Sequence, residues 1–381
     1  MTTSADSRLS VAILGTGRMA AIHLAALAKL RDEGLTVDGR TVGVDVALYG
    51  RDSAKVDDLA ARYDVRQTST TLEELIDSPE IGVIDNCLVN AQHYGPLMRA
   101  IEHGKHVFTE KPLTIDLGEA EKLLAAARSA GVHHGVIQNM RFNPGPRRAR
   151  QLIDQGTVGR VFSARVVFGY MVPQTVTNRP TWFYKKDQAG GGIVEDMMAH
   201  FFDLLRFLVG PIDRVYAATG TAWKERREPD GTPFPVEVED LAAVAISFAN
   251  GAVGDCFASW VRRKHEEVPY FEIDGEDGSL IFSFNRLRAQ TQAETPLFRY
   301  DPRKVQTDSE ADWRPIDLDL RDPFGLQLEE FLRGIASGKP SKPDWEDAVT
   351  NQRLIKAAYR SVAEGRAVSL DEIAKEAGIR G

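Results

Sequence analysis

Cysteine is almost absent from this 381-residue sequence, with only Cys87 and Cys256 present. Both sit in apolar stretches, so there is no disulfide framework and a reducing, cytoplasmic setting is expected. Basic charge is also short. The 47 Lys+Arg are outnumbered by 55 Asp+Glu, and the net charge of -8 repels a phosphate backbone, which argues against a nucleic-acid partner. No run approaches the about 18 apolar residues that would span a bilayer, and the first ten residues lack the basic start and apolar core of a signal peptide. Neither a solenoid repeat nor a low-complexity tract occurs. No two histidines stand four apart, so the His-x-x-x-His metal pair is missing and no metal is expected.

What is present suits a soluble enzyme-sized chain. Hydrophobic residues make up 43% and charged residues 27%, enough for a real core. The length exceeds what one core usually supports. Two domains are expected, residues 1–139 and 140–381, with the last helices free to pack back on the first domain.

The first domain opens with a short apolar strand, Leu9 to Leu14. It runs into Gly15-Thr16-Gly17-Arg18-Met19-Ala20 and then a helical stretch. This is Gly-x-Gly-x-x-Ala between a strand and a helix, the context a dinucleotide fingerprint needs. Gly15 permits the tight turn, Gly17 lets a pyrophosphate approach the backbone, and Ala20 keeps the helix close to the sheet. Strand-like and helix-like segments then alternate to about residue 138, predicting a doubly wound parallel sheet of the Rossmann type. The acid that would hold a ribose hydroxyl is expected at the end of the second strand. Asp38 follows only Leu35-Thr36-Val37, which is too short for that strand. Thr41 to Tyr49 is the better strand, after a lengthened loop, and it ends in Gly50-Arg51-Asp52. No carboxylate takes the first position after it, and Arg51 offers a partner for a 2′-phosphate, so NADP is expected at least as readily as NAD. Gly50→Asp would then favour NAD.

From about Gly159 the chain is strand-rich. Asn250-Gly251 between two alternating runs is a hairpin signal, and few helices separate the strands. A second, α+β domain with a large, mostly antiparallel open sheet is expected. The charged, proline-bearing segment 224–240 reads as an exposed loop. Ahead of this segment lies GGGIVEDMMAHFFD, residues 190–203. Ile193 to Val209 has helical spacing, which would make Asp196 and His200 neighbours one turn apart. The three glycines either bring the chain close to a ligand or give the helix a flexible entry.

Four stretches together resemble the Gfo/Idh/MocA family, the glucose-fructose oxidoreductase and inositol dehydrogenase group. They are the glycine fingerprint, Gly104-Lys105-His106-Val107-Phe108-Thr109-Glu110-Lys111-Pro112, Arg141-Phe142-Asn143-Pro144, and the segment carrying Asp196 and His200. The resemblance implies reversible hydride transfer between a secondary alcohol of a sugar, glycoside or cyclitol and a nicotinamide. It places Lys111 on the reacting hydroxyl and the nicotinamide ribose, with Glu110 helping to hold it, and it puts Asp196 against one ring nitrogen of His200. Asp203 either shares that task or lies on the helix surface. Cofactor contacts are expected from Gly15, Thr16, Gly17, Arg18, Met19, Arg51, Glu110 and Lys111. Where the family has Thr-Pro-Asn, this chain has Leu88-Val89-Asn90 with His93 retained, so the nicotinamide side falls to Leu88, Asn90 and His93. Met198 replaces a family glycine and is expected to reshape the pocket. Arg141, Trp182, Tyr184 and Trp260 complete the expected substrate contacts. The open sheet face is expected to pair subunits into a homodimer or homotetramer.

A free lysine titrates near about 10.4, which desolvation and the nicotinamidium cation would lower, and an imidazole near about 6.5; Lys111 polarising the hydroxyl while His200 takes or relays the proton is one division of labour, and the sequence does not decide it. Two other functions use the same features. One is a redox-neutral glycoside hydrolase or epimerase with a tightly held dinucleotide, and the other is a non-catalytic sugar sensor.

Overall fold

The computed structural model describes residues 8–176, 179–263, 269–295 and 313–376, which leaves the first seven residues of the amino-terminal stretch outside the described residues. Two compact units are present. One comprises Met1–Asn139, Asp187–Gly190 and Asp322–Gln352; the other comprises Met140–Lys186, Gly191–Arg321 and Arg353–Gly381.

The first unit is built on strands β1 (Arg8–Leu14), β2 (Leu35–Val37), β3 (Arg40–Tyr49), β4 (Gln67–Ser69), β5 (Val83–Asn86), β6 (His106–Thr109) and β7 (His134–Val136). β1 pairs in parallel with β3 on one side and with β5 on the other, and β5, β6 and β7 continue in that order. The chain therefore winds outward in both directions from β1, which creates a switch point beyond the carboxyl ends of β1 and β5. All four residues of β5 are buried, as expected for a strand covered on both faces. In the helix Arg18–Glu33, Ala20, Leu24 and Leu27 lie one turn apart and are fully buried. They share a core with Leu328, Phe331 and Leu332 of the helix Pro323–Ser337. That helix starts with Asp322, whose carboxylate accepts from the N–H groups of Phe324 and Gly325 at 3.2 and 2.8 Å, followed by proline in the first turn.

One strand differs from expectation. Leu35–Val37 does form a strand, paired antiparallel with β3 through Asp38-Gly39, whose φ values of 48° and 77° are those of a two-residue hairpin turn. Three residues suffice because the turn supplies the register. It also places Asp38 at the amino end of β3, away from the Tyr49 end that lies level with Leu14 of β1.

The second unit contains β8 (Val161–Gly169), β9 (Ile212–Gly220), a small hairpin β10 (Glu225–Arg227) and β11 (Pro233–Pro235), then β12 (Leu241–Phe248), β13 (Val253–Ser259), β14 (Tyr270–Gly275), β15 (Gly278–Phe282), β16 (Leu287–Thr291), β17 (Arg314–Pro315) and β18 (Val368–Ser369). All but the small hairpin form one nine-stranded sheet in the order β17-β16-β15-β14-β8-β13-β12-β9-β18, in which only the β8–β13 pairing is parallel. The Asn250-Gly251 turn joins β12 to β13, with Gly251 at φ 88° and the Asn250 carboxamide oxygen accepting from Ala252 N–H at 3.0 Å. One face of the sheet stays open, with Tyr216 and Val253 48% and 58% exposed.

Two readings of this unit are corrected. The segment 224–240 is not a plain exposed loop: it folds into the β10–β11 hairpin, and Arg226 is fully buried, donating to the carbonyls of Val172 and Pro173 at 3.1 and 2.8 Å. Buried Asp240 lies 3.7 Å from it, which explains how an arginine can be buried there. The stretch from Ile193 is not a regular α-helix either. Val194–Met198 makes a π-helical turn, and the α-helix begins only at Ala199 and runs to Leu208. The wider turn changes the one-turn spacing on which the Asp196–His200 pairing was argued.

No described helix is long and apolar enough to cross a membrane.

Candidate active site

Beyond the carboxyl end of β1 the chain turns at Gly15, which has φ 125° and donates its N–H to Tyr49 O at 2.9 Å. A Cβ there would lie 2.8 Å from Cys87 O, so both conformation and space demand glycine. Gly17 is different: it caps the helix Arg18–Glu33 in extended conformation, and a Cβ on it would meet no atom within 4 Å. No acid stands in the helix's first turn, so its unpaired N–H groups and positive dipole end are open to an anion. Thr16 and Met19 are half-buried beside this opening and Arg18 is exposed. These features fit the pyrophosphate of a dinucleotide.

The end of β3 requires one correction. A Cβ on Gly50 would collide with Thr16 Cγ2 and approach Val56 Cγ2 to 2.8 Å. Gly50→Asp would therefore disturb the fingerprint loop itself and is not a clean probe of cofactor preference. The glycine is required by packing. Arg51, next along, is exposed, and Asp52 is spent capping the following helix through Lys55 N–H at 3.3 Å.

The loops after β5 and β6 are cross-tied. Glu110 N–H donates to Asn86 O at 2.9 Å, and the Asn86 side-chain amide donates to Thr109 Oγ1 at 3.0 Å. Leu88 N–H lies 3.4 Å from Asn86 Oδ1. Buried His93 spans the two loops, with Nδ1 2.8 Å from Pro112 O and Nε2 3.0 Å from Leu88 O. Burial pushes its pKa down, although the two carbonyls oppose that shift. Glu110 is buried and accepts the backbone N–H of Lys111 at 3.1 Å; the Lys111–Pro112 peptide is cis and the lysine is half-buried. Asn90 Nδ2 donates to Ala189 O at 3.1 Å.

In the second unit the glycines are packing positions, which neither sequence reading anticipated. A Cβ on Gly191 would collide with the Tyr359 hydroxyl, and one on Gly192 with Glu239 O. Glu239 Oε1 then organises the turn, accepting from Gly192 N–H at 3.1 Å, Val194 N–H at 3.0 Å and Tyr359 O–H at 2.9 Å. Burial, with Glu239 alongside, pushes the Tyr359 phenol up, so it remains a donor.

Asp196 pairs with Arg179 at 3.4 Å, and the same guanidinium hydrogen-bonds the Tyr170 hydroxyl. The arginine stacks 4.4 Å from the Trp260 ring centroid and 4.5 Å from that of Phe183. Trp182 stacks on Phe183 at 4.1 Å, while Tyr184 and Trp260 are fully buried and meet edge-on at 6.0 Å. His200 is buried and Met198 is fully buried. Arg141 holds Asp203 through two bonds of 2.5 and 2.6 Å, and Asp203 is 1% exposed. The helix-surface reading of Asp203 is thus overturned, because a buried arginine requires its carboxylate. Sequence reasoning missed Arg179, Glu239, His23 and Asp85. Their contacts cross 17 to 120 residues and leave no periodic trace.

A glycine turn at the switch point of a parallel sheet, with a lysine at the end of a nearby strand, defines a dinucleotide-dependent oxidoreductase. Residues 9–138 match the model of the oxidoreductase family with an NAD-binding Rossmann fold, and residues 147–281 match that of the GFO/IDH/MocA C-terminal domain. The chain belongs to the Gfo/Idh/MocA family. It is 31% identical over 373 residues to D-xylose dehydrogenase of Paenarthrobacter nicotinovorans, covering 94% of this chain and 96% of that one. Levoglucosan dehydrogenase solved with NADH and levoglucosan superposes with a TM-score of 0.82 at 25% identity, over 96% of this chain and 100% of that one. An oxidoreductase domain protein from Kribbella flavida gives 0.82 at 28% identity, over 96% and 99%.

Proposed function

We propose that this oxidoreductase interconverts a secondary alcohol and a ketone or lactone on a sugar, glycoside or cyclitol. The observation that carries the reading is Lys111, held at the carboxyl end of β6 by Glu110 through its backbone and by the His93–Pro112 tie. Relatives named for D-xylose, levoglucosan and myo-inositol support the substrate class. A bound nicotinamide supplies the hydride acceptor or donor. In this reading the Lys111 ammonium donates to the substrate hydroxyl oxygen and stabilises charge developing there, and His200 takes or returns the hydroxyl proton. Asp196 orients the site from the π-helical turn, in concert with Arg179. Arg141, Met198, Trp182, Tyr184 and Trp260 are taken to shape the substrate side.

NADP is proposed to bind at least as well as NAD, with exposed Arg51 pairing a 2′-phosphate; affinities favouring NAD by more than about tenfold, roughly 1.4 kcal/mol, would refute this. The open face around Tyr216 and Val253 is proposed to pair copies of the chain, which light scattering tests. The central experiment is to denature the purified protein, identify any released dinucleotide, and screen aldoses, glycosides and cyclitols by nicotinamide absorbance with product analysis. Net reduction of dinucleotide by a polyol supports the reading. Glycoside cleavage without net reduction, or no reaction with any polyol, overturns it.

A further inference from the structure

Behind Lys111 lies a buried charged chain that the proposed chemistry does not use. His23, on the helix that follows the glycine turn, is fully buried, and its Nδ1 lies 2.9 and 3.1 Å from the two oxygens of fully buried Asp85 on β5. Its other nitrogen, Nε2, faces Glu110 Oε1 at 3.4 Å, an ion-pair distance rather than a full hydrogen bond. The second oxygen of Glu110 accepts the Lys111 N–H. The rings of Phe108 and Phe324, each 6.1 Å from the imidazole, wall off the remainder.

We propose that His23 is a positioning residue for Lys111, holding the Glu110 carboxylate from behind while Asp85 anchors the imidazole. Two carboxylates share a pocket from which water is excluded, and such a pair is tolerable only with a cation or a proton between them. Burial works against the charged ring, but the Asp85 carboxylate overrides it and raises the His23 pKa well above 6.5. The neighbouring Cys87 thiol, 3.4 Å from Nδ1, is pushed up to about 12 by burial and stays protonated. An imidazolium therefore holds Glu110 from behind. With Glu110 fixed, the Lys111 backbone is fixed, and the ammonium is presented in one position beyond the sheet.

The inference rests on the proposed role of Lys111, so it is tested with one readout that needs turnover and one that does not. His23→Leu should lower kcat by up to roughly 10²-fold, the size expected of a misplaced reacting group. The KM for the sugar and the dinucleotide affinity should stay nearly constant, the pattern of a loss confined to the reacting state. Acylation of Lys111 in dinucleotide-free protein, followed by peptide mass spectrometry, should speed up as the lysine loses its anchor. His23→Leu/Asp85→Asn removes the stranded charge and should recover the melting temperature without recovering kcat. Recovery of both in the double variant, or unchanged kcat and unchanged Lys111 labelling in His23→Leu, would overturn the proposal. A wild-type protein inactive on every polyol would overturn the proposed function instead, while the labelling comparison would still decide the role of His23.

Discussion

The two units build their functional ends by different means. In the first, what would face a dinucleotide in the proposed reading is mainly main chain: the Gly15 turn, the amino end of the helix after Gly17, and the ends of β3 and β5. In the second, the groups around Asp196 and the turn that carries it are side chains gathered from distant segments, with Arg179, Trp260, Glu239 and Tyr359 each arriving from a different element. A main-chain site needs small residues at fixed offsets from a strand, so it is written locally. A side-chain site needs partners that the fold alone brings together, and it is stabilised by buried polar pairs that fail badly when one member is lost.

The largest effect should sharpen this contrast by showing chemistry separable from folding. Lys111→Ala should lower turnover by about 10²- to 10⁴-fold, with His200→Ala somewhat milder, while dinucleotide affinity and melting temperature change little. Steady-state kinetics beside equilibrium binding checks this, and near-normal turnover in Lys111→Ala would remove the lysine from the reaction.

The buried pairs of the second unit should behave oppositely. Arg141→Ala takes the two-bond partner away from buried Asp203 and should cost about 3–5 kcal/mol by denaturant unfolding, the usual penalty of a broken buried pair. Glu239→Ala removes the acceptor of two N–H groups and of the Tyr359 hydroxyl, and should cost at least about 1–3 kcal/mol, with binding in the first unit unaffected. If either variant is as stable as wild type, the contrast between the units fails.

The first unit has a buried charge cluster of the same kind at His23, and pH should expose it. His23 has a folded-state pKa above its unfolded value of about 6.5, so its contribution is complete below that pH and is lost as pH rises through the folded value. Asp85, Glu110 and Cys87 face the ring, and burial pushes the thiol up to about 12. Denaturant unfolding at rising pH should show stability falling by up to about 1.4 kcal/mol per pH unit in wild type, relative to His23→Leu/Asp85→Asn. Parallel curves would show that the ring is not charged.

The smallest effect concerns cofactor choice. Arg51→Ala should weaken NADP relative to NAD by roughly tenfold, the worth of one charge-assisted contact at an exposed site, without moving the melting temperature. Equal losses for both dinucleotides would assign Arg51 another role.

Much of the first unit could be read from the chain. The strand before Gly15, the open Gly17 and the close packing of Ala20 follow from local geometry. The hairpin at Asn250-Gly251 and the largely antiparallel second sheet were legible for the same reason, since turn chemistry and alternation act over a few residues. Several of the readings that needed correction involve contacts between segments far apart in sequence. Gly50 read as a missing carboxylate, when its space is taken by Thr16 and Val56. The triple glycine read as a ligand approach or a flexible entry, when Gly191 and Gly192 make room for Tyr359 and Glu239. Segment 224–240 read as exposed because its charges gave no sign that Arg226 would be buried beside Asp240.

By itself, then, the sequence determined the alternation of strands and helices in the first domain, the dinucleotide turn and the family, because each depends on residue type at short, repeating intervals. Tertiary structure alone decided that Asp196 faces Arg179, that Asp203 serves Arg141, that a π-helical turn interrupts the helix entry and that His23 lies between Asp85 and Glu110. A buried charge is tolerated only where the fold delivers its partner, and no local pattern records which distant residue that will be.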